Sequence, residues 1–248
     1  MESEMIIGRN PVLEALRAER EMNKIWVSES ARRGQMSELL RLAKQSGAPI
    51  QFVPKQRLNK LAGTTNHQGV IASVSAYRYA TLDDLFQKAE SAGEKPFFLL
   101  LDEIEDPQNL GSILRTSDAT GVHGVIIPKR RSAGLTAAAA KASAGAIEHV
   151  PVARVTNLSQ TMEELKARGI WFVGADMEGS QDYRKVDYDL PVALVIGNEG
   201  QGISRLIKKK CDFLVRLPMK GKVASLNASV AAAVFMYEVF RKRSLAGG

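Results

Sequence analysis

Three segments hold the side chains of this chain that could do chemistry. The first, DEIEDPQNLGSILR (102–115), has Asn109 where a helix cap belongs, Gly111 where close approach is allowed, and Arg115 about two turns on. The second, IGNEGQGIS (196–204), follows an apolar run and precedes a short helix. Its glycines Gly197, Gly200 and Gly202 let the backbone approach a ligand with N–H groups turned toward it. Glu199 is its only acid. A carboxylate repels a phosphate, so the segment suits a cationic ligand, or an ordering bond to backbone or arginine. It is neither a dinucleotide fingerprint nor a Walker loop, because the required glycine spacing and the Lys-Ser/Thr pair are missing. The third, LPMKGKVASLNASVAAA (217–233), places Ser225 and Asn227 ahead of an apolar helix, where either could be the cap.

Other chemistries find little support. His67, His123 and His149 lack metal-ligand spacing and cysteine companions, so no metal is expected. Cys211 stands alone and reads as a buried residue at a strand edge, after a lysine run (208–210) that reads as a solvated helix end. No Gly-x-Ser-x-Gly elbow is present.

The elements around these segments alternate. FFLLLDEI (97–104) and VALVI (192–196) are apolar runs of the kind buried in parallel sheets. GVIIP (124–128), HVPVARV (149–155), IWFVGA (170–175) and FLVRLP (213–218) read as further strands. Helical stretches fall between them, at 109–120, 135–143, 158–168, 203–210 and 227–243. The expected fold class is α/β with an open parallel sheet covered on both faces. Residues 1–78 form a smaller α/β pattern: helix from the Asn10-Pro11 cap, strand 24–28, helix 37–44, strand 49–53, helix 55–61, strand 69–75. The expected organisation is 1–78, a linker with a short helix at 79–95, and 96–248. The final helix is apolar all round through Val239, so it must be covered by the sheet or by a second subunit.

The chain has 248 residues, 45% hydrophobic and 25% charged, which excludes wholesale disorder. No run of about 18 uncharged apolar residues occurs, and the N-terminus lacks the order of a signal peptide; a cytoplasmic address and no membrane partner are expected. The net charge is +7, and residues 1–78 hold 12 basic against 7 acidic residues, so most of the surplus sits in the first third. A polyanionic partner is the expectation there.

Taken in order, NLGSILRTSDATGVHGVIIP (109–128), LVIGNEGQGIS (194–204) and LPMKGKVASLNASVAAAV (217–234) closely resemble the three signature motifs of the SpoU (TrmH-type) methyltransferases of the SPOUT superfamily. GRNPVLEALRA and TTNHQGV (64–70) resemble the substrate-binding domain of one branch, which includes the bacterial enzyme that methylates a guanosine ribose of 23S rRNA. The resemblance implies a C-terminal SPOUT domain with a deep trefoil knot, preceded by a small ribosomal-protein-like RNA-binding domain. It implies S-adenosylmethionine as cofactor, homodimerisation through the SPOUT domain, and large-subunit rRNA as partner. Carried over by position, Asn109, Arg115, Glu199, Ser225 and Asn227 match the catalytic set. Gly197, Asn198, Gly200, Leu217, Met219 and Leu226 match the cofactor site. The implied reaction is methyl transfer to a ribose 2′-hydroxyl. A guanidinium has no acceptor, so Arg115 is expected to clamp phosphate and stabilise the developing alkoxide rather than act as base, with Glu199 orienting it. The competing readings are tRNA methylation, adenosine methylation of the resistance type, and a non-catalytic ribosome-assembly factor.

Overall fold

The computed structural model describes residues 5–17, 20–31, 33–74, 77–177, 179, 181–222 and 225–246. The chain divides into two compact units, Met1–Arg78 with Gly134–Ala137, and Tyr79–Ala133 with Ala138–Gly248.

The first unit runs β1 (Met5–Ile7), α1 (Arg9–Arg17), β2 (Met22–Ser28), α2 (Arg33–Gln45), β3 (Ile50–Val53), α3 (Lys55–Ala62) and β4 (Val70–Val74). Its sheet has the order β1-β4-β2-β3, with β2 and β3 parallel and the other pairs antiparallel. Alternation along β4 explains the layering. Val70 and Ala72 join Val12, Leu16, Leu39 and Ala43 on one face, while Ile71 joins Val53 and Leu58 on the other. The antiparallel β1 was not foreseen, because three residues are too short to show a period. Nor does α1 start at Asn10. It begins one residue earlier, where Gln68 Oε1 accepts the Arg9 N–H at 3.1 Å and does the work expected of an asparagine cap.

The second unit runs α4 (Leu82–Ala92), β5 (Phe97–Leu101), α5 (Pro107–Ala119), β6 (Gly124–Pro128), α6 (Ala137–Ser143), β7 (Val152–Val155), α7 (Leu158–Ala167), β8 (Trp171–Ala175), β9 (Gln181–Asp182), β10 (Val192–Ile196), α8 (Arg205–Lys208), β11 (Phe213–Arg216) and α9 (Ala228–Ala246). Seven strands lie in the order β7-β6-β5-β10-β8-β11-β9, and every pair is parallel. Phe98, Leu100, Phe172 and Val195 pack on one face with Leu85, Met162 and Ile207. On α5, Ser117 donates to Met236 of α9 at 3.5 Å, so these two helices pack together. The strand order, with β10 between β5 and β8 and β11 beyond β8, is compatible with the knot that the resemblance implies.

Residues 79–95 correct an expectation. They are not a linker beside the second unit but part of it. Thr81 and Asp84 form a capping box, Gly93 ends the helix at φ 67°, and Leu85 and Ala89 are buried. Leu85 and Ala89 are enough for one face in an otherwise polar stretch. Gly124 leaves room for it, since a Cβ there would overlap Leu85.

Candidate functional site

The carboxyl ends of β5, β10 and β11 lead into the three segments, which is where parallel sheets bind ligands. Asp106, not Asn109, caps α5: its Oδ1 accepts the Gln108 N–H at 2.9 Å, with Pro107 in the first turn. Asn109 therefore lies inside the helix, only 7% exposed, with its amide free for another task. Asn109 Nδ2 donates to Glu199 Oε1 at 2.7 Å, and Asn109 Oδ1 accepts from Asn227 Nδ2 at 2.9 Å. Asn227 is a true cap of α9, since its Oδ1 accepts the N–H groups of Ser229 (3.0 Å) and Val230 (3.3 Å). Its amide also donates to Glu199 Oε1 at 3.1 Å, as does the Ala228 N–H at 3.1 Å. One carboxylate oxygen thus gathers donors from the first and third segments. The Ala228 N–H above all, then the residue's own N–H and the Asn109 amide, holds the Glu199 carboxyl below the usual glutamate range against the opposing effect of burial.

The glycine segment folds onto itself. Gly200 N–H donates to Asn198 Oδ1 at 2.8 Å, and Gly202 N–H to Asn198 O at 2.8 Å. Two of the three glycine N–H groups expected to face a ligand are thus used inside the loop. Gly197 is required by this fold, because a Cβ there would overlap the Gly202 backbone. Asp102, which is not among the expected site residues, anchors the loop. It is buried, and its Oδ2 accepts the Ser204 N–H at 2.8 Å. Its sequence signal was an acid ending an apolar strand, a costly placement without a partner. Glu103 beside it has φ 60°, pairs with Arg131 at 2.7 Å, and accepts from Asn198 Nδ2 through its carbonyl at 3.4 Å.

A cavity of about 1070 Å³ opens between these loops, large for a small-molecule site. Gly197, Asn198, Gly200, Leu217, Met219 and Leu226 all line it. So do Glu199 and Ser225, whereas Asn109 and Asn227 stand behind Glu199 and Arg115 does not reach the wall. Arg115 is exposed on α5, and among the described residues no hydrogen bond or ion pair holds it. Within the chain Glu199 therefore orients asparagines and the start of α9, and among the described residues no bond joins it to Arg115. Asp176, Asp182 and Lys208, also unforeseen, line the same space. Lys208 pairs with Asp176 at 2.8 Å and Lys210 pairs with Glu163, so the lysine run is more than a solvated helix end. Burial pushes the Cys211 thiol up to about 12, which leaves it unreactive. Among the described residues no cluster of three or more metal-ligating side chains occurs, and no helix is long and apolar enough to cross a membrane.

Fold and site together define an α/β enzyme that holds a small organic cofactor on loops at the carboxyl ends of a parallel sheet. Residues 96–237 match the SpoU rRNA methylase family, and residues 5–80 match the RNA 2′-O ribose methyltransferase substrate-binding family. YacO of Bacillus subtilis, assigned to the TrmH family of tRNA/rRNA methyltransferases, is 57% identical over 98% of this chain and 97% of its own. The SpoU methyltransferase AviRb from Streptomyces viridochromogenes, solved with S-adenosylmethionine, is 27% identical over 98% of this chain and 92% of that one, with a TM-score of 0.62. An rRNA methyltransferase from Sinorhizobium meliloti, also with that cofactor, is 26% identical over 97% and 87%, with a TM-score of 0.60. The chain belongs to the SpoU family: it is an RNA methyltransferase that uses S-adenosylmethionine, with an N-terminal substrate-binding domain.

The cavity suits that cofactor. Three of the chain's exposed large apolar side chains, Met177, Met219 and Leu226, line it and offer contact to a flat base. Its charged lining is mixed, with Glu199, Asp176 and Asp182 beside Arg184, Lys208, Arg216 and Lys222, which suits a cofactor that carries charges of both signs.

Proposed function

We propose that the chain methylates a ribose 2′-hydroxyl of large-subunit rRNA, most specifically a guanosine of 23S rRNA. The observation that carries this reading is the Asn109–Glu199–Asn227 network, which ties all three signature segments together at the cavity rim. Nothing in that arrangement is degraded, which counts against a non-catalytic assembly factor. The substrate-binding match over residues 5–80 and the basic surplus of residues 1–78 support an RNA partner held by the first unit. The Sinorhizobium rRNA enzyme, alike across both units, supports rRNA. The name of YacO keeps tRNA as the second reading.

When bound, S-adenosylmethionine supplies an electrophilic methyl group that needs no metal activation. The chain's own work is to hold and orient. Gly197, Asn198, Gly200, Leu217, Met219 and Leu226 wall the cofactor's place. Glu199 fixes Asn109 and Asn227, and through them the relation of α5 to α9. Ser225 lines the cavity in the third segment. Arg115 grips the ribose-phosphate and lends its fixed positive charge to the oxygen as it loses its proton, which passes to phosphate or water. Held in line, the reacting groups gain on the order of 7 kcal/mol from positioning.

The working unit we propose is a homodimer. Val230, Tyr237 and Phe240 of α9 are 49%, 51% and 46% exposed, and Arg115 is exposed on α5, which packs on α9. A second copy covering that stripe would offer a partner surface to α9, and Arg115, which no hydrogen bond or ion pair holds among the described residues, would be left to meet substrate. We place the activity in the cytoplasm, where ribosomal RNA is processed. The test is transfer of a labelled methyl group to large-subunit rRNA and to tRNA, followed by mapping of the modified ribose. Labelling of tRNA alone overturns the rRNA reading, and labelling of neither overturns both.

A further inference from the structure

The connector between α3 and β4, residues 63–69 of the first unit, is built more firmly than a turn requires. The carboxyl ends of β1, β2 and β3 share one edge of the sheet with the start of β4, because β4 runs antiparallel to β1 and β2 while β3 runs parallel to β2. At that edge His67 is only 1% exposed. Its Nδ1 accepts the Gly69 N–H at 3.0 Å, so the proton sits on Nε2, which donates to Asn59 Oδ1 of α3 at 2.7 Å. Burial first, then the charge of Lys55, lowers the pKa of the imidazole and keeps this neutral form. The His67 carbonyl accepts the Val70 N–H at 3.0 Å, and Gly69 O accepts the Ser28 N–H at 2.8 Å. Gln68 holds φ 50°, a costly value for a residue with a side chain, while it caps α1. Thr64, Thr65 and Asn66 stay exposed at the tip. Thr64 Oγ1 accepts the Asn66 N–H at 3.2 Å, and among the described residues no hydrogen bond occupies the side chains of Thr65 and Asn66.

We propose that Thr65 and Asn66 hydrogen-bond the edge of an unpaired base in the RNA substrate, and that His67 is the positioning residue that holds them for it. The proposal rests on the reading of the first unit as the grip on RNA, and it names the part of that unit that discriminates. A hydroxyl and a carboxamide offer donors and acceptors without charge, which match a base edge, whereas phosphates call for cations. Paired bases in an RNA helix present little to such groups, so the loop suits a nucleotide splayed out of a helix. Cations stand close by for the backbone: Lys55, Arg57 and Lys60 are exposed on α3, the helix whose Asn59 receives the His67 proton. Groups that read a base must be held still, since discrimination depends on the geometry of each hydrogen bond. A plain connector could turn without burying an imidazole, whose two nitrogens must each find a partner.

The experiment is filter binding of the full chain, across a range of salt, to transcribed large-subunit rRNA and to a fully paired RNA duplex of mixed sequence. The wild type is expected to prefer the transcript. The double variant Thr65→Ala, Asn66→Ala is expected to lose about tenfold of that preference, with the salt slope and the S-adenosylhomocysteine affinity unchanged. His67→Ala is expected to lose a similar factor, and His67→Asn, whose Oδ1 can still accept the Gly69 N–H, to fall between. In methyl transfer the same variants should raise KM for RNA and leave kcat at saturating RNA unchanged. The double variant alters only exposed side chains, so it decides the matter even if His67→Ala does not fold. Full preference in the double variant overturns the proposal. So does a loss accompanied by a fall of about 1 in the salt slope, which makes the loop a phosphate contact. A His67→Ala protein that melts lower but keeps its preference and KM overturns the positioning role. No wild-type affinity for the transcript overturns the rRNA reading itself, whereas affinity without preference overturns the base contact alone.

Discussion

A single oxygen, Glu199 Oε1, accepts from Asn109 Nδ2, Asn227 Nδ2 and the Ala228 N–H, so α5 and the start of α9, far apart in sequence, depend on one acceptor. Removing it leaves donors unmet at the start of α9. Glu199→Ala is expected to cost about 2 kcal/mol, seen as a lower thermal midpoint, with Glu199→Gln milder because an oxygen remains. The sign of the pH effect follows from the depressed carboxyl. Its contribution is whole above the ordinary glutamate range and is lost as pH falls through the lower folded value. Melting curves between about pH 3 and pH 6 should therefore fall more steeply for wild type than for Glu199→Gln. Arg115 should behave differently, since among the described residues no hydrogen bond or ion pair holds it. Arg115→Ala is expected to leave S-adenosylhomocysteine affinity and stability unchanged while turnover drops about 100-fold or more. A drop in cofactor affinity of similar size would remove Arg115 from the catalytic step.

Elements show where residue types mislead. Runs such as FFLLL and VALVI announce buried strands, because a strand covered on both faces has no polar side to hide. Caps are less legible. Both Asp106 and Asn109 are cap residues by type, and only the Pro107 between them favours the earlier start. The sequence named Asn109 and Asn227 as site residues, but their mutual bond spans 118 positions and no local pattern reveals it. Gly111 was read as a place of close approach, and it is one, to a helix. A Cβ there would overlap the Ala139 carbonyl and Ala142 of α6. Gly111→Ala is accordingly expected to destabilise by about 1–3 kcal/mol, measured by denaturant midpoint. The apolar final helix also divides as physics requires. Phe235, Met236 and Val239 are buried, while Val230, Tyr237 and Phe240 form an open stripe. With the proposed dimer built on this stripe, Tyr237→Asp should shift the protein to monomer in sedimentation. An unshifted dimer would move the interface elsewhere.

At the scale of the whole molecule, the two units divide the labour that charge foretold. Of the +7 surplus, residues 1–78 carry 12 basic against 7 acidic side chains, and the cavity lies wholly in the second unit. Binding RNA and binding cofactor should therefore be separable by substitution. On α3, Lys55, Arg57 and Lys60 are exposed, while Leu58 is buried beneath them. Cations on such a face release counterions when they meet phosphate, and each contact contributes about 0.7 to 0.9 to the slope of log affinity against log salt. A Lys55→Ala, Arg57→Ala, Lys60→Ala variant is expected to bind rRNA fragments more weakly and to lose about 2 from that slope. Its S-adenosylhomocysteine affinity should match wild type, because the substituted side chains lie outside the cofactor's unit. An unchanged salt slope would show that α3 does not meet the RNA backbone, and the grip would have to be sought on another face of the first unit.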